Sequence, residues 1–340
     1  MIVDLRSDTV TKPTLAMKAA MFEAQVGDDV FDEDPTIHAL QAKVATMFGM
    51  ESALYCPSGT MTNQIALRIS TQPQDQIICD KRSHIYLYEG GGPAYNSMVS
   101  LKLLEGDRGR IKADQIADAV NPDDIHFPKS ALISIENTMN KGGGCCYHIE
   151  ELRAIREEAD KYGLKLHLDG ARLFNALVAR GDDARAYGEI FDTISVCFSK
   201  GLGAPVGSAV LGSTENIKQA RRVRKVLGGG MRQAGYLAAA CIYALDNHVN
   251  RLQQDHDRAK ALGAMVAAQS YVEEVLPVET NIVIFKLIDK TNPQEVLTEL
   301  EKQGILAVPF GKHEIRFVTH LDFTDQMLAY VEKSLASLSF

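Results

Sequence analysis

The chain has 340 residues, 46% apolar and 24% charged, which is ordinary for a folded globular protein and excludes a disordered or fibrous one. Its formal net charge of −8 excludes a nucleic acid or an anionic membrane as the main partner, because both require a cationic face. The length accommodates two domains or one large α/β unit.

Met1-Ile2-Val3-Asp4-Leu5-Arg6-Ser7-Asp8 is acidic where a secretion leader would be basic and then apolar, so no cleavable signal is expected. Cys56-Pro57-Ser58-Gly59-Thr60 precedes a helix-like run, whose free N–H groups and positive dipole end suit a phosphate or simple capping. Strand-like runs then follow at Gln76–Cys79, Ala131–Ile135, Leu164–Leu168, Thr193–Phe198 and Ser208–Leu211, alternating with helix-length segments. Between the second and third of them, Ile149, Leu152, Ile155, Ala159 and Tyr162 form the buried stripe of a surface helix. Strand alternating with helix predicts an α/β fold, a mostly parallel sheet with helices on both faces.

The longest apolar run, Tyr236–Leu245, is about half the ~20 residues that cross a bilayer and reads as a buried helix. Beyond Asp246 the pattern changes to a helix over Asn250–Met265, a strand over Asn281–Leu287 and a helix over Gln294–Gln303. Strands at Leu306–Phe310 and Ile315–Thr319 and a last helix after Asp322 complete it. A large domain over 1–246, with a short N-terminal arm, and a smaller α+β domain over 247–340 are therefore predicted. Six cysteines without a C-x-x-C pair or zinc-finger histidines predict a reduced, cytoplasmic setting, with Cys145 and Cys146 as free loop thiols. Glycine runs at 90–92, 142–144 and 228–230 match no nucleotide-binding loop and read as tight turns.

Two residues carry most of the chemical signal. Asp169 closes the run Leu164–Leu168, and Lys200 follows Thr193–Phe198 by two residues. In open α/β sheets ligands gather at the carboxyl ends of strands, so both side chains can face one crevice. The pair suits pyridoxal phosphate: the lysine would hold the aldehyde as a Schiff base, and the aspartate would hold a proton on the pyridine nitrogen. Ser199, Gly201, Gly203 and Ala204 leave room beside the lysine for a planar ring. His84 is open to two readings, a structural ring or one laid on the cofactor. His167 and Asp169 share a strand face, but a third metal ligand is missing. No metal is expected, and His167 is read as orienting the aspartate from behind.

Taken together, Asp4–Thr11, Val26–Val30, Glu33–Thr36, Pro57–Met61, Leu168–Arg172, Ser199–Gly203, Gly228–Gln233 and Arg316–Asp322 resemble the L-threonine aldolase family, one of the aspartate-aminotransferase-like pyridoxal phosphate enzymes. The resemblance implies retro-aldol cleavage of L-threonine, L-allo-threonine or related β-hydroxy-α-amino acids to glycine and an aldehyde. It implies Lys200 as the Schiff-base residue, Asp169 as the pyridinium partner, and His84 stacked on the ring. Ser58, Gly59 and Thr60 would cradle the phosphate with Ser199 and with Arg232 from a neighbouring subunit. Ser7, Arg172 and Arg316 would hold the substrate carboxylate, for which the planar arginine fork is suited. His126 would lie near the substrate hydroxyl, and Lys225 would reach an adjacent subunit's site. His84, His126 and a water all remain open as the general base. A homodimer or homotetramer with sites at the subunit interface is implied as well. The chain departs from the family at Met139, where a histidine is usual, and at Phe31, where a tyrosine is usual.

Overall fold

The computed structural model describes residues 1–338 and 340. Thirteen strands run in chain order among the described residues. They are β1 (Val3–Asp4), β2 (Ser52–Cys56), β3 (Gln76–Asp80), β4 (Ser100–Leu104), β5 (Ser130–Glu136), β6 (Lys165–Gly170) and β7 (Thr193–Cys197). β8 (Ser208–Gly212), β9 (Val272–Val275), β10 (Ile282–Leu287), β11 (Ile305–Leu306), β12 (Val308–Pro309) and β13 (Glu314–Val318) follow.

Seven of them form one sheet in the order β2-β8-β7-β6-β5-β3-β4. The pairs β3/β4, β3/β5, β5/β6 and β6/β7 are parallel, and β8 alone runs against its neighbours β7 and β2. β3, β7 and β8 are buried along their whole length. A sheet covered by helices on both faces requires that, and it explains why these strands do not alternate between apolar and charged residues. The antiparallel return from β7 to β8 makes the connection after β7 a closed loop, and Lys200 sits in it.

The second sheet, β12-β13-β10-β9, is antiparallel throughout and carries the C-terminal helices Leu252–Ala267 and Asp325–Ser337 on its core. Its apolar core gathers Leu262, Val283, Phe285, Phe317 and Val331. Val3 and Leu5 belong to the same core, and β1 pairs in parallel with β11, Val3 opposite Ile305. The first residues of the chain are thus shared with the C-terminal layer and cross to the large sheet at Ser7 and Asp8.

The elements follow local chemistry. Asp34 accepts N–H bonds from Thr36 and Ile37 and so caps the helix Pro35–Phe48, where Pro35 sits at a position that needs no N–H of its own. The run Tyr236–Leu245 lies in the helix Gly235–Asn247, with Ala238, Cys241 and Ala244 buried. No helix of the described residues is long and apolar enough to cross a membrane. The expected single strand Leu306–Phe310 is instead two, because β11 pairs with β1 while β12 pairs with β13 at the sheet edge. Pro309 has no N–H to give a ladder, which suits it to an edge. The strands β1, β2, β4 and β9 add to those expected. β4 and β9 are edge strands with exposed residues, so neither carries a clean burial pattern in its sequence.

Candidate active site

A cavity of about 370 Å³ opens at the carboxyl ends of the central strands, between the large sheet and the segment Val308–Phe310. Ser7, His84, Asp169, Arg172, Lys200 and Arg316 all line it. Register explains how the large sheet delivers its share. Asp169 on β6 lies opposite Glu136 on β5 and Ser195 on β7, so residues from three neighbouring parallel strands stand at one level. Lys200 is held there by its loop, where Gly203 N–H donates to the Lys200 carbonyl at 2.8 Å and Ala204 N–H to that of Phe198 at 3.0 Å. Gly203 takes φ +79°, a left-handed conformation that favours glycine. The Lys200 Nζ lies 3.6 Å from Cys197 Sγ, and no carboxylate pairs with it among the described residues.

Asp169 is buried and accepts from the Asn63 amide at 2.7 Å and from Ala171 N–H at 3.2 Å. His167 stands behind the aspartate and reaches it through Asn63. His167 Nε2 lies 3.3 Å from Asn63 Oδ1 and Nδ1 lies 2.9 Å from Thr193 Oγ1. Burial pushes the His167 imidazole down to about 4, so it is neutral. A neutral ring whose Nε2 carries the proton donates to Asn63, and Asn63 turns its NH₂ group toward Asp169.

The same NH₂ group donates to Glu89 Oε1 at 2.8 Å, and Glu89 Oε1 also meets His84 Nδ1 at 2.8 Å. His84 is fixed at its backbone too, its N–H donating to Glu136 Oε2 at 2.8 Å. Its ring lies tilted at 42° to that of Tyr88, with centroids 5.6 Å apart. Burial disfavours the His84 imidazolium, but the Glu89 hydrogen bond and the charges of Asp169, Glu89 and Glu136 outweigh it and raise the pKa. Glu136 is raised as well, by burial and by the neighbouring Asp169 charge. His84, Glu89 and Asp169 bring ligand atoms within 4.8 Å of one another. The Asn63 NH₂ group points its hydrogens at both carboxylates, however, and a donor there opposes a cation.

Two arginines face the cavity from different states of pairing. Arg172 grips Asp8 with both prongs, at 2.8 and 2.6 Å, and both residues are buried. Burial would raise the Asp8 carboxyl, but Arg172 overrides it and brings the pKa to about 2. Arg316 instead donates to neutral oxygens, Asn140 Oδ1 at 2.9 Å and the Arg6 carbonyl at 2.9 Å, and its buried Nε has no partner. Burial and the charge of Arg172 lower its pKa to about 10. A half-buried guanidinium without a counter-ion favours an anionic ligand. Ser7 lines the same wall, its Oγ accepting from Thr9 N–H at 3.2 Å.

Other expected residues lie outside this cavity. Ser58 caps the helix Gly59–Ser70 through Met61 N–H at 3.2 Å, and both Ser58 and Thr60 are exposed. A Cβ on Gly59 would come within 2.6 Å of Cys197 Sγ, so the bare backbone brings this helix start against the end of β7, just before the Lys200 loop. Ser199 is half-buried beside the lysine. His126 is on the surface, its side chain 78% exposed and paired with Asp124 at 2.7 Å. Lys225 and Arg232 are also exposed, Arg232 pairing with Asp28 at 3.0 Å. Of the two departures, Phe31 is exposed, and Met139 is buried behind the cavity wall, in reach of Gly109 and Gly142.

Sequence reasoning missed Asp8, Asn63, Glu89 and Glu136. One signal was present: the polar triplet Thr62-Asn63-Gln64 directly precedes the apolar run Ile65-Ala66-Leu67, and all six residues are buried in the helix. Buried polar side chains need partners, so such a triplet points inward to a network.

A family model described as beta-eliminating lyase matches residues 4–290. A low specificity L-threonine aldolase of Escherichia coli (strain K12) is 40% identical over 333 residues, covering 97% of each chain. The low-specificity L-threonine aldolase 1 of Arabidopsis thaliana is 39% identical over 335 residues, covering 96% of this chain and 94% of its own. A solved threonine aldolase of Leishmania major superposes with a TM-score of 0.85 over 98% of both chains at 20% identity, a likeness of fold. The chain belongs to the beta-eliminating lyase family, and within it to the low-specificity L-threonine aldolases.

Proposed function

We propose that the protein is a pyridoxal phosphate-dependent carbon-carbon lyase that cleaves L-threonine, L-allo-threonine and related β-hydroxy-α-amino acids to glycine and an aldehyde. The observation that carries this reading is the convergence of Lys200, Asp169 and a guanidinium lacking a counter-ion, Arg316, on one cavity. The donor set fits the cofactor. Lys200 offers an amine with no carboxylate partner among the described residues, Asp169 a buried carboxylate, and Ser58, Gly59 and Thr60 a helix start for the phosphate. When bound, pyridoxal phosphate supplies an electron sink for the pair released as Cα–Cβ breaks.

The protein's own groups do the rest. Lys200 would hold the cofactor's aldehyde carbon covalently, and Asp169 would keep a proton on the pyridine nitrogen. Arg316, with Ser7 and Arg172, would fix the substrate carboxylate and so set the rotation about Cα that makes the Cα–Cβ bond the one to break. His84 offers an imidazole to the β-hydroxyl from within the cavity, as general-base catalysis requires.

Arg232, Lys225 and His126 enter this reading through a second copy of the chain. Phe22, Phe31, Tyr95 and Val226 are each more than two-thirds exposed in the single chain, which supports a homodimer or homotetramer with sites at the interface. Residues 1–246 form the proposed cofactor-binding part and residues 247–340 the small part. A reduced, cytoplasmic setting is proposed from six cysteines that are all free and buried.

The test gives purified protein L-threonine and measures glycine and acetaldehyde, with Lys200→Ala alongside. Equimolar products from the wild type, none above background from the variant, and borohydride reduction that labels Lys200 are expected. Pyruvate and ammonia in place of glycine, or a label on another residue, would overturn the assignment.

A further inference from the structure

Glu89 is a carboxylate whose side chain is fully buried. Taking such a charge out of water is costly unless a cation and hydrogen bonds balance it. No lysine or arginine pairs with it among the described residues; the one group able to carry positive charge beside it is His84, through Nδ1 at 2.8 Å. Its remaining lone pairs accept from Asn63 Nδ2 at 2.8 Å and from Gln64 Nε2 at 2.5 Å, and Gln64 is held in turn by Asn96 at 3.0 Å. All these partners are donors. A carboxylate surrounded by donors draws the His84 proton to Nδ1, which leaves Nε2 as the acceptor.

We propose that Glu89 is a positioning residue for the aldol cleavage: it fixes the Nδ1–H tautomer and ring plane of His84, so that His84 Nε2 is the atom that takes the β-hydroxyl proton. The inference rests on the function proposed above. In the step itself the O–H bond breaks and its proton goes to Nε2. The O–H electron pair becomes the second bond of the aldehyde carbonyl, and the pair released from Cα–Cβ is the one for which pyridoxal phosphate, held by Lys200 and Asp169, would supply the sink. The imidazolium formed beside Glu89 is stabilised by its charge, and the proton is returned afterwards to solvent or to Cα.

The groups facing the imidazole from the other elements are Asp169 on β6 and Glu136 on β5, with Tyr88 against the ring, while Lys200 after β7 lines the same cavity. Asp169 and Glu136 remain when Glu89 is changed, so their contribution to the His84 charge persists. The Glu89 share is therefore separable. A neutral Nε2 is needed for the base, so the acid limb of kcat follows His84, and removing the Glu89 charge moves that limb to lower pH.

The experiment compares wild type, Glu89→Gln, Glu89→Asp and Glu89→Ala as holoenzymes, with pH profiles of kcat and KM for L-threonine. It also records ¹⁵N-histidine spectra of the cofactor-free proteins from pH 5 to 9. Glu89→Gln is expected to shift the acid limb down by about one pH unit, and Glu89→Ala to lower kcat about 100-fold with KM changed less than about threefold. Glu89→Asp should recover part of the lost rate. The spectra should show His84 protonated at Nδ1 in the wild type, and titrating at lower pH in Glu89→Gln. An acid limb and a His84 titration that superimpose on those of the wild type would overturn the proposal, as would a wild-type ring protonated at Nε2 alone. If a variant is unfolded by circular dichroism, the wild-type tautomer and the Glu89→Asp profile still decide. Failure of the wild type to release glycine would instead sink the proposed function, while the spectra would continue to report on Glu89.

Discussion

Arg316 and Arg172 have the same side chain, lie in the same wall, and face opposite electrostatic situations. Arg172 is neutralised by Asp8, whereas Arg316 has only neutral oxygens and the ring of Phe310, 4.7 Å from its guanidinium carbon. The unneutralised one is the better grip for an incoming carboxylate, because binding there removes an existing electrostatic cost. Arg316→Lys is therefore expected to raise KM for L-threonine about 10- to 100-fold, since the ammonium cannot reproduce a two-pronged contact worth ~1.5–3 kcal/mol. Steady-state kinetics check this; an unchanged KM would show that the carboxylate binds elsewhere. At this scale Asp169 and Lys200 were legible because Asp169 closes one apolar strand-like run and Lys200 lies just beyond another. The partner of Asp169 was not. Asn63 lies on a helix and Glu89 in a glycine-rich turn, and only the folded chain brings the Asn63 NH₂ group between the Glu89 and Asp169 carboxylates.

Elements place these residues, and buried histidines show how tightly. His167 on β6 and His256 on the helix Leu252–Ala267 are both pushed down to about 4 by burial. The unfolded chain binds protons at these positions below about 6.5, while the folded chain resists until about 4. Stability thus rises with pH across that window and falls on acidification from 6.5. Each histidine is expected to withdraw about 2 kcal/mol at pH 5 relative to pH 7. Thermal unfolding at several pH values checks it: His256→Gln, which can still donate to Asn175 Oδ1, should give a shallower decline than the wild type. An equally steep decline would place the acid sensitivity elsewhere. The strands bearing the site were readable as short runs rich in apolar and β-branched residues, because both faces of a parallel sheet are covered. The break between β11 and β12 was not, since Ile305–Pro309 changes partner without any change in composition.

At the level of the whole molecule, the single chain leaves apolar surface that a lone globule would bury. Phe22 is 86% exposed beside Met21 and Tyr236, with Lys18 completing the same hollow. Light scattering is expected to give a dimer or a larger even multiple, and Phe22→Glu to shift the population toward smaller species. A monomeric wild type that retains full activity would end the reading of Arg232 and Lys225 as residues lent to a neighbouring site. The α/β class and the change of pattern after Asp246 were legible from the alternation of strand and helix. The crossing of the amino-terminal residues into the far layer was not, because a two-residue strand has no periodicity to detect.

That crossing has a mechanical result. Asp4 is anchored to the small layer by β1, and Asp8 is clamped to Arg172 at the large sheet. The intervening four steps of backbone can stretch to no more than about 14 Å. The amino-terminal stretch is thus a short leash: tilting one layer away from the other draws it taut and pulls the aspartate from its arginine. Opening of the cleft and loss of the counter-charge on Arg172 are in this way a single movement.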